Sequence, residues 1–389
     1  MVNHNTQQLL LLILFRLTRS FAAGIILLVL PYYILEDLHY SASVLGLLYM
    51  AATVATAGFA LLFGFLTDLW GRRGTLLLAG VLLPAGAFLV FWSARLPILF
   101  AGAMLGGFSA TGSRAAGSVG GAAQPIQSAV IAELTTIENR TFWFSLFAFL
   151  SGLLGAAGML AGRLFSARDA ILAAAIASSL GLAFLAQVRP VDTPGKIKRL
   201  KSKAIIGKFS LTAAVNGLSQ GLIMPFLIPF FVLIYHAPQS KMSVYGFGSE
   251  MVAALAVLIA PRIERQLGFV KGVAVTRGLG AALLLLLPLT RVFALALVVY
   301  LLTPALRVLA MPVQQTALTA MVHEGETGRA LAMNQVARLS TSAGAVAFTG
   351  YMFDSAEIAL PFYGYAVLTC VSVFLYFRFF GANPELNSE

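Results

Sequence analysis

Long apolar runs alternate with short polar breaks along the chain, and the runs are continuous rather than alternating residue by residue. They predict twelve helical spans, at 9–34, 43–69, 74–92, 97–124, 142–163, 168–187, 205–234, 243–260, 270–289, 292–317, 329–352 and 360–380. Helices of about 20 apolar residues cross roughly 30 Å of hydrocarbon, whereas the strands of a membrane barrel would alternate. The fold class read from the pattern is an all-α polytopic membrane protein. The tightest break is G-F-L-T-D-L-W-G-R-R, from Gly64 to Arg73. There Asp68 ends one helix, Gly71 makes the turn, and Arg72 and Arg73 follow, so the two flanking helices must be antiparallel neighbours.

The polar breaks also set the orientation. Counted from the cytoplasm, the inner loops carry Arg72, Arg73, Arg140, the basic run between Arg189 and Lys208, Arg262, Arg265, Lys271 and Arg329. The outer loops carry Arg95, Arg168, Lys241 and Arg291 among the acids Glu36, Asp37, Asp354 and Glu357. Positive charge gathers on the cytoplasmic side, so both termini are expected to be cytoplasmic, with the chain in the cell membrane. Trp70, Trp92 and Trp143 fall at span ends, as interfacial aromatics do.

Composition agrees with the pattern: 59% of residues are hydrophobic, 11% are charged, and the mean hydropathy is +0.88. The net charge of +11 would suit a nucleic-acid binder, but its placement at span ends and in one loop reads as topology. The single cysteine, Cys370, excludes an intramolecular disulfide. No nucleotide-binding loop is present, and His4, His39, His236 and His323 all lie outside the predicted spans. An enzyme, a metal centre and a bound cofactor therefore have no support, and nothing points beyond a monomer.

Residues 189–204 form the long polar segment and separate two six-span halves, 1–188 and 205–389. Its basic stretch, 191–203, suits either a plain tether or a surface for anionic membrane lipids. The halves resemble one another. Pro125-x-Gln127 at the end of the fourth span returns as Pro312-x-Gln314 at the end of the tenth, with Arg140 and Arg329 following. Asp68…Gly71 is answered by Glu264…Gly268, flanked by Arg262 and Arg265. Paired six-helix repeats suit a secondary transporter that holds a small organic solute between its halves.

The run from Gly64 to Arg73 resembles the loop 2–3 signature of the major facilitator superfamily, keeping both glycines, the aspartate and the paired basic residues. P-R-I-E-R-Q-L-G, from Pro261 to Gly268, is similar to its degenerate copy in loop 8–9. The resemblance implies alternating access. Asp68 would meet the cytoplasmic end of the eleventh span near Arg329, and Arg72, Arg73 and Arg140 would form an ionic network with Glu133 or Glu138. Asp68, Gly71, Arg72, Arg73, Arg140, Glu264 and Arg329 are thus candidate gating residues. The glycine row from Ser151 to Gly162 resembles the span-five motif of proton-coupled exporters, although Ala156 stands where that motif has proline. Close packing of helices through small residues accounts for the row equally well.

Charged residues inside the spans are candidates for the transported solute and its coupling. Arg16 and Arg19 lie in the first span, Arg114 in the fourth, Arg307 in the tenth, and Arg338 one turn after Asn334 in the eleventh. An arginine at the bilayer centre costs roughly 2.5–3.5 kcal/mol on insertion scales, so these should face inward and make an electropositive cavity for an organic anion. Arg19, Arg307 and Arg338, with Asn334 and Arg114, are the candidate substrate contacts. Glu250 lies 14 residues before Glu264, roughly 21 Å deeper at 1.5 Å per residue. It is the candidate proton carrier if transport is proton-coupled, or else a solvated residue near the outer mouth. Export of neutral or cationic amphiphiles against protons, and a non-transporting sensor or scaffold, are the alternatives.

Overall fold

The computed structural model describes residues 4–109, 123, 126–127, 130–131, 134–135, 137–189, 201–323 and 326–381. Among these residues the chain forms twelve α-helices. They are α1 (His4–Tyr32), α2 (Ala42–Trp92), α3 (Leu96–Gly106), α4 (Ile137–Ala161), α5 (Ala167–Leu185) and α6 (Lys203–Ile223). Then follow α7 (Leu227–Tyr235), α8 (Gln239–Val257), α9 (Ala260–Leu285), α10 (Phe293–Met321), α11 (Thr327–Asp354) and α12 (Ala359–Phe380). Eight segments among the described residues are long and apolar enough to cross a membrane, including Thr6–Asp37, Trp70–Trp92 and Lys203–Tyr235. Shorter apolar stretches lie at Leu96–Gly106 and Phe293–Leu309. The protein is an integral membrane protein of all-α polytopic fold.

Breaks in these helices follow backbone chemistry. α2 and α9 each run on through a single non-helical glycine, Gly71 (φ 74°, ψ 168°) and Gly268 (φ 68°, ψ 177°). Positive φ with extended ψ is a conformation that side chains exclude and glycine accepts, so the paired turns read from the sequence are there in the backbone. A second pair marks the repeat. His236 ends α7 in the left-handed region, and His39, after the π-helical turn Tyr33–Asp37 that extends α1, is left-handed too. The segment expected as one helix over 205–234 is instead broken by a 3-10 turn, Met224–Phe226, around Pro225. Proline removes an N–H donor and clashes with the preceding turn.

The chain forms two compact units. The first comprises Met1–Tyr40, Ala51–Lys198 and Pro238–Phe247; the second comprises Ser41–Met50, Arg199–Ala237 and Gly248–Glu389. α2 and α8 are thus each divided, their first turns belonging to the other unit from the rest of the helix.

In the first unit α1 packs on α4 backbone to backbone. A Cβ on Gly24 would fall 2.0 Å from the Gly155 carbonyl oxygen, and one on Gly158 would fall 2.0 Å from that of Phe21. Two members of the glycine row thus make a close helix contact of the kind small residues permit in lipid. The second unit repeats the arrangement between α6 and α11. Gly217 faces the Arg338 carbonyl and Gly221 that of Ser342, where an added Cβ would lie 2.1 and 2.4 Å away.

Helix ends are tied by side chains. The Asp354 carboxylate, at the end of α11, accepts from the backbone N–H groups of Ala42 and Ser43, both at 2.8 Å. Gln239 Nε2, at the start of α8, donates to the carbonyls of Gly162 (2.6 Å) and Phe165 (3.1 Å) just beyond α4. At the start of α11 the Glu326 carboxylate accepts from the N–H groups of Lys201 and Ser202, which lead into α6. Each bond satisfies terminal backbone groups that a helix cannot pair internally.

Candidate functional site

Buried cations mark each unit. In the first, Arg16 and Arg19 stand one turn apart on α1 and are 9% and 6% exposed. Arg16 Nε donates to Ser151 Oγ of α4 at 2.9 Å, and its Nη1 donates to Gln127 Oε1 at 2.8 Å. The Ser151 hydroxyl donates in turn to the Phe147 carbonyl at 2.6 Å, which leaves its lone pairs toward the guanidinium. Arg19 Nη1 donates to the Ala79 carbonyl of α2 at 3.4 Å, and its guanidinium lies 5.8 Å from the Phe15 ring centroid. These bonds hold α1 to its neighbours.

The second unit has its own group. Arg277, in α9, is 8% exposed; its Nη1 donates to Ser372 Oγ of α12 at 2.7 Å, and its guanidinium lies 5.0 Å from the Tyr376 ring centroid. Sequence reasoning passed over this residue, although an arginine within the apolar run 270–289 is the same signal that singles out Arg19. Arg307 and Arg338 are half-buried, and the charges of Arg277 and Arg338 lie close enough to act on one another. Asn334 Nδ2 donates to the Phe209 carbonyl of α6 at 3.0 Å, so that amide fastens α11 to α6. Arg114 lies outside the described residues.

Glu250 is 4% exposed in α8, so it is a buried carboxyl group and not a solvated one. Its neighbour Ser249 donates to the Tyr300 carbonyl of α10 at 3.1 Å.

Of the gating candidates, Gly71 makes its turn with positive φ. Arg73 Nη2 donates at 3.0 Å to the Ala186 carbonyl, the cap of α5, where a cation meets the negative end of the helix dipole. Arg72 and Arg329 are half-buried. The side chains of Asp68, Arg140 and Glu264 lie outside the described residues. Glu326 was not foreseen. The backbone N–H of Lys201, then the hydroxyl and N–H of Ser202, outweigh its burial and bring the pKa of its carboxyl group down to about 2.

Comparison with known proteins places this architecture. The profile described as Major Facilitator Superfamily matches residues 12–209. No curated protein matches the sequence. Among solved structures, a D-xylose–proton symporter matches with a TM-score of 0.75 at 16% identity, over 96% of this chain and 98% of its own. A nucleoside transporter matches with a TM-score of 0.75 at 12% identity, over 96% and 100%. A human organic anion transporter matches with a TM-score of 0.70 at 15% identity, over 96% and 99%. At these identities the likeness is one of fold. The matching proteins carry solutes across membranes and are not enzymes. On the family match, the paired glycine turns and the shared fold, the chain belongs to the major facilitator superfamily.

Proposed function

We propose that the protein is a twelve-span transporter of an organic anion, built from pseudo-symmetric six-helix bundles (1–188 and 205–389) that alternate access to a small solute. The observation that carries the anion reading is the set of arginines within apolar spans. Arg16, Arg19 and Arg277 are buried, Arg307 and Arg338 are half-buried, and Glu250 is a buried acid among the described residues. A surplus of arginine over acid within the spans would make a field that favours anions. Arg19, Arg307 and Arg338 are the proposed solute contacts, with Arg114. Asn334 takes a supporting place, its amide being engaged by α6.

Asp68, Gly71, Arg72, Arg73, Arg140, Glu264 and Arg329 govern inner closure on this reading, supported by the matching glycine turns at 71 and 268. Both termini face the cytoplasm, and the basic stretch 191–203 meets anionic lipid. Burial of Glu250 supports it as the proton carrier, since changing hydration shifts the affinity of a carboxyl group for its proton.

Counterflow in vesicles containing the purified protein tests the proposal, with benzenesulfonate, benzamide and benzyltrimethylammonium as solutes of one size and different charge. Benzenesulfonate should exchange fastest, and changing Arg19, Arg307 or Arg338 to Gln should slow it. Faster exchange of the cation, undiminished by those changes, would overturn the anion reading. Accumulation driven by a pH gradient should be lost in Glu250→Gln; accumulation that survives would remove Glu250 from the coupling.

A further inference from the structure

Two packed helices of the second unit carry exposed cations at the same end. α6 and α12 run antiparallel. The rings of Phe209 and Phe380 lie 4.4 Å apart between centroids, and further along α6 the Ser219 and Thr369 hydroxyls share a hydrogen bond of 3.0 Å. The start of α6 therefore meets the end of α12. Lys208 stands there on α6, its Nζ 5.9 Å from the ring centroid of Phe379 of α12, and Arg378 immediately precedes that ring. Both cations are exposed, and among the described residues no carboxylate pairs with either. The acid at the entry to α6, Glu326, is buried and accepts from the backbone N–H groups of Lys201 and Ser202.

Inward from these charges both helices present apolar side chains. On α6, Leu211 follows Lys208 by three residues and Leu218 follows Leu211 by seven; on α12, Phe374 precedes Arg378 by four and Val371 precedes Phe374 by three. All four are exposed, and the spacings keep each set on one side of its helix. Lys208 lies five residues inside the membrane-spanning segment Lys203–Tyr235, and Arg378 two residues inside Ala359–Phe380. At 1.5 Å per residue these are depths of roughly 8 and 3 Å, from which long basic side chains reach the headgroup layer.

We infer that the seam between α6 and α12 holds an anionic phospholipid. Its phosphate lies with Lys208 and Arg378, and an acyl chain runs along Leu211, Leu218, Phe374 and Val371. Orientation in the membrane asks only that these positions be basic; it gives no reason for Lys208 to reach across to a ring of α12. On the proposed orientation this end faces the cytoplasmic leaflet, where anionic lipids are concentrated. The site uses none of residues 191–203 and does not depend on which solute is carried.

Native mass spectrometry of the purified protein tests the inference, with phosphatidylglycerol and phosphatidylcholine of identical acyl chains. The parent should retain phosphatidylglycerol in preference. Lys208→Gln and Arg378→Gln should each weaken that retention about fivefold, and together they should remove it. Lys208→Arg, which keeps the charge, should bind as the parent does. Changing Lys196, Lys198 and Arg199 to Gln should leave the lipid in place, and glycerol phosphate, which lacks acyl chains, should not displace it. Equal retention of the two lipids by the parent, or a double variant that keeps the parent's preference, would overturn the inference. So would displacement by glycerol phosphate, or loss of the lipid in the 196/198/199 variant alone. Should the glutamine variants not fold, a phosphatidylglycerol carrying a diazirine in its acyl chain decides with the parent protein. Its adducts should map to α6 and α12, and adducts confined to other helices would exclude the site.

Discussion

The first turns of α2 and α8 occupy matching places in the two repeats, each following a left-handed histidine, and they are fastened by opposite chemistry. α2 offers its own N–H groups, and the Asp354 carboxylate at the end of α11 accepts them. α8 offers a side chain, Gln239, which donates to the carbonyls at the end of α4. The repeat thus preserves which helix ends meet, α2 with α11 and α8 with α4, while the bond that joins them differs. One bond is ionic and titratable; the other is neutral at every accessible pH.

The largest expected effect comes from the glycines beneath these contacts. A Cβ on Gly350 would fall 2.6 Å from the Ala42 carbonyl oxygen and 3.1 Å from Gly46 Cα, both backbone atoms. Gly350→Val should destabilise by about 1–3 kcal/mol through overpacking. It should also raise maleimide labelling of a Ser43→Cys reporter in a Cys370→Ser background. At the α8 contact, a Cβ on Gly162 first meets the flexible tip of Leu28, at 2.8 Å, so Gly162→Ala should cost less. Equal losses of melting temperature at both sites would break the contrast.

Next in size is Asp354→Ala, which removes a carboxylate acting as a helix cap and should cost about 1 kcal/mol. Partial burial raises the affinity of Asp354 for its proton, but hydrogen bonds from Ser43, Ser41 and Ala42 outweigh this and hold it below the usual carboxylate range. A depressed value in the folded state means the stabilisation is complete above the unfolded value, about 3.9. It is lost as pH falls through the folded one. Melting curves of parent and variant should therefore converge on acidification; a gap independent of pH would exclude the ionic account.

The smallest effect is expected for Gln239→Met, about 0.5–1.5 kcal/mol for a neutral hydrogen bond. Its melting difference should stay constant across the range in which that of Asp354→Ala disappears. A pH-dependent loss here would erase the distinction between the two fastenings.

What could be read in advance follows from what leaves a mark in the letters. The helices and the two hinge glycines were legible because apolar runs and charged breaks are local features. Arg19, Arg307 and Arg338 were legible as cations inside such runs, and Arg277 carries the same mark. The work of Asp354 and Glu326 was not legible, since their partners are backbone N–H groups, which no residue type encodes. The Pro-x-Gln repeat drew notice to Gln127, but its pairing with Arg16 spans 111 positions. The break at Met224–Phe226 escaped because the run around Pro225 is apolar on both sides.

The bonds of Arg16 also set an order of assembly. This arginine lies in α1, yet its acceptors at Gln127 and Ser151 are synthesised 111 and 135 residues later. The bond that ties α1 to α4 through Arg16 and Ser151 can therefore close only after α4 has been made.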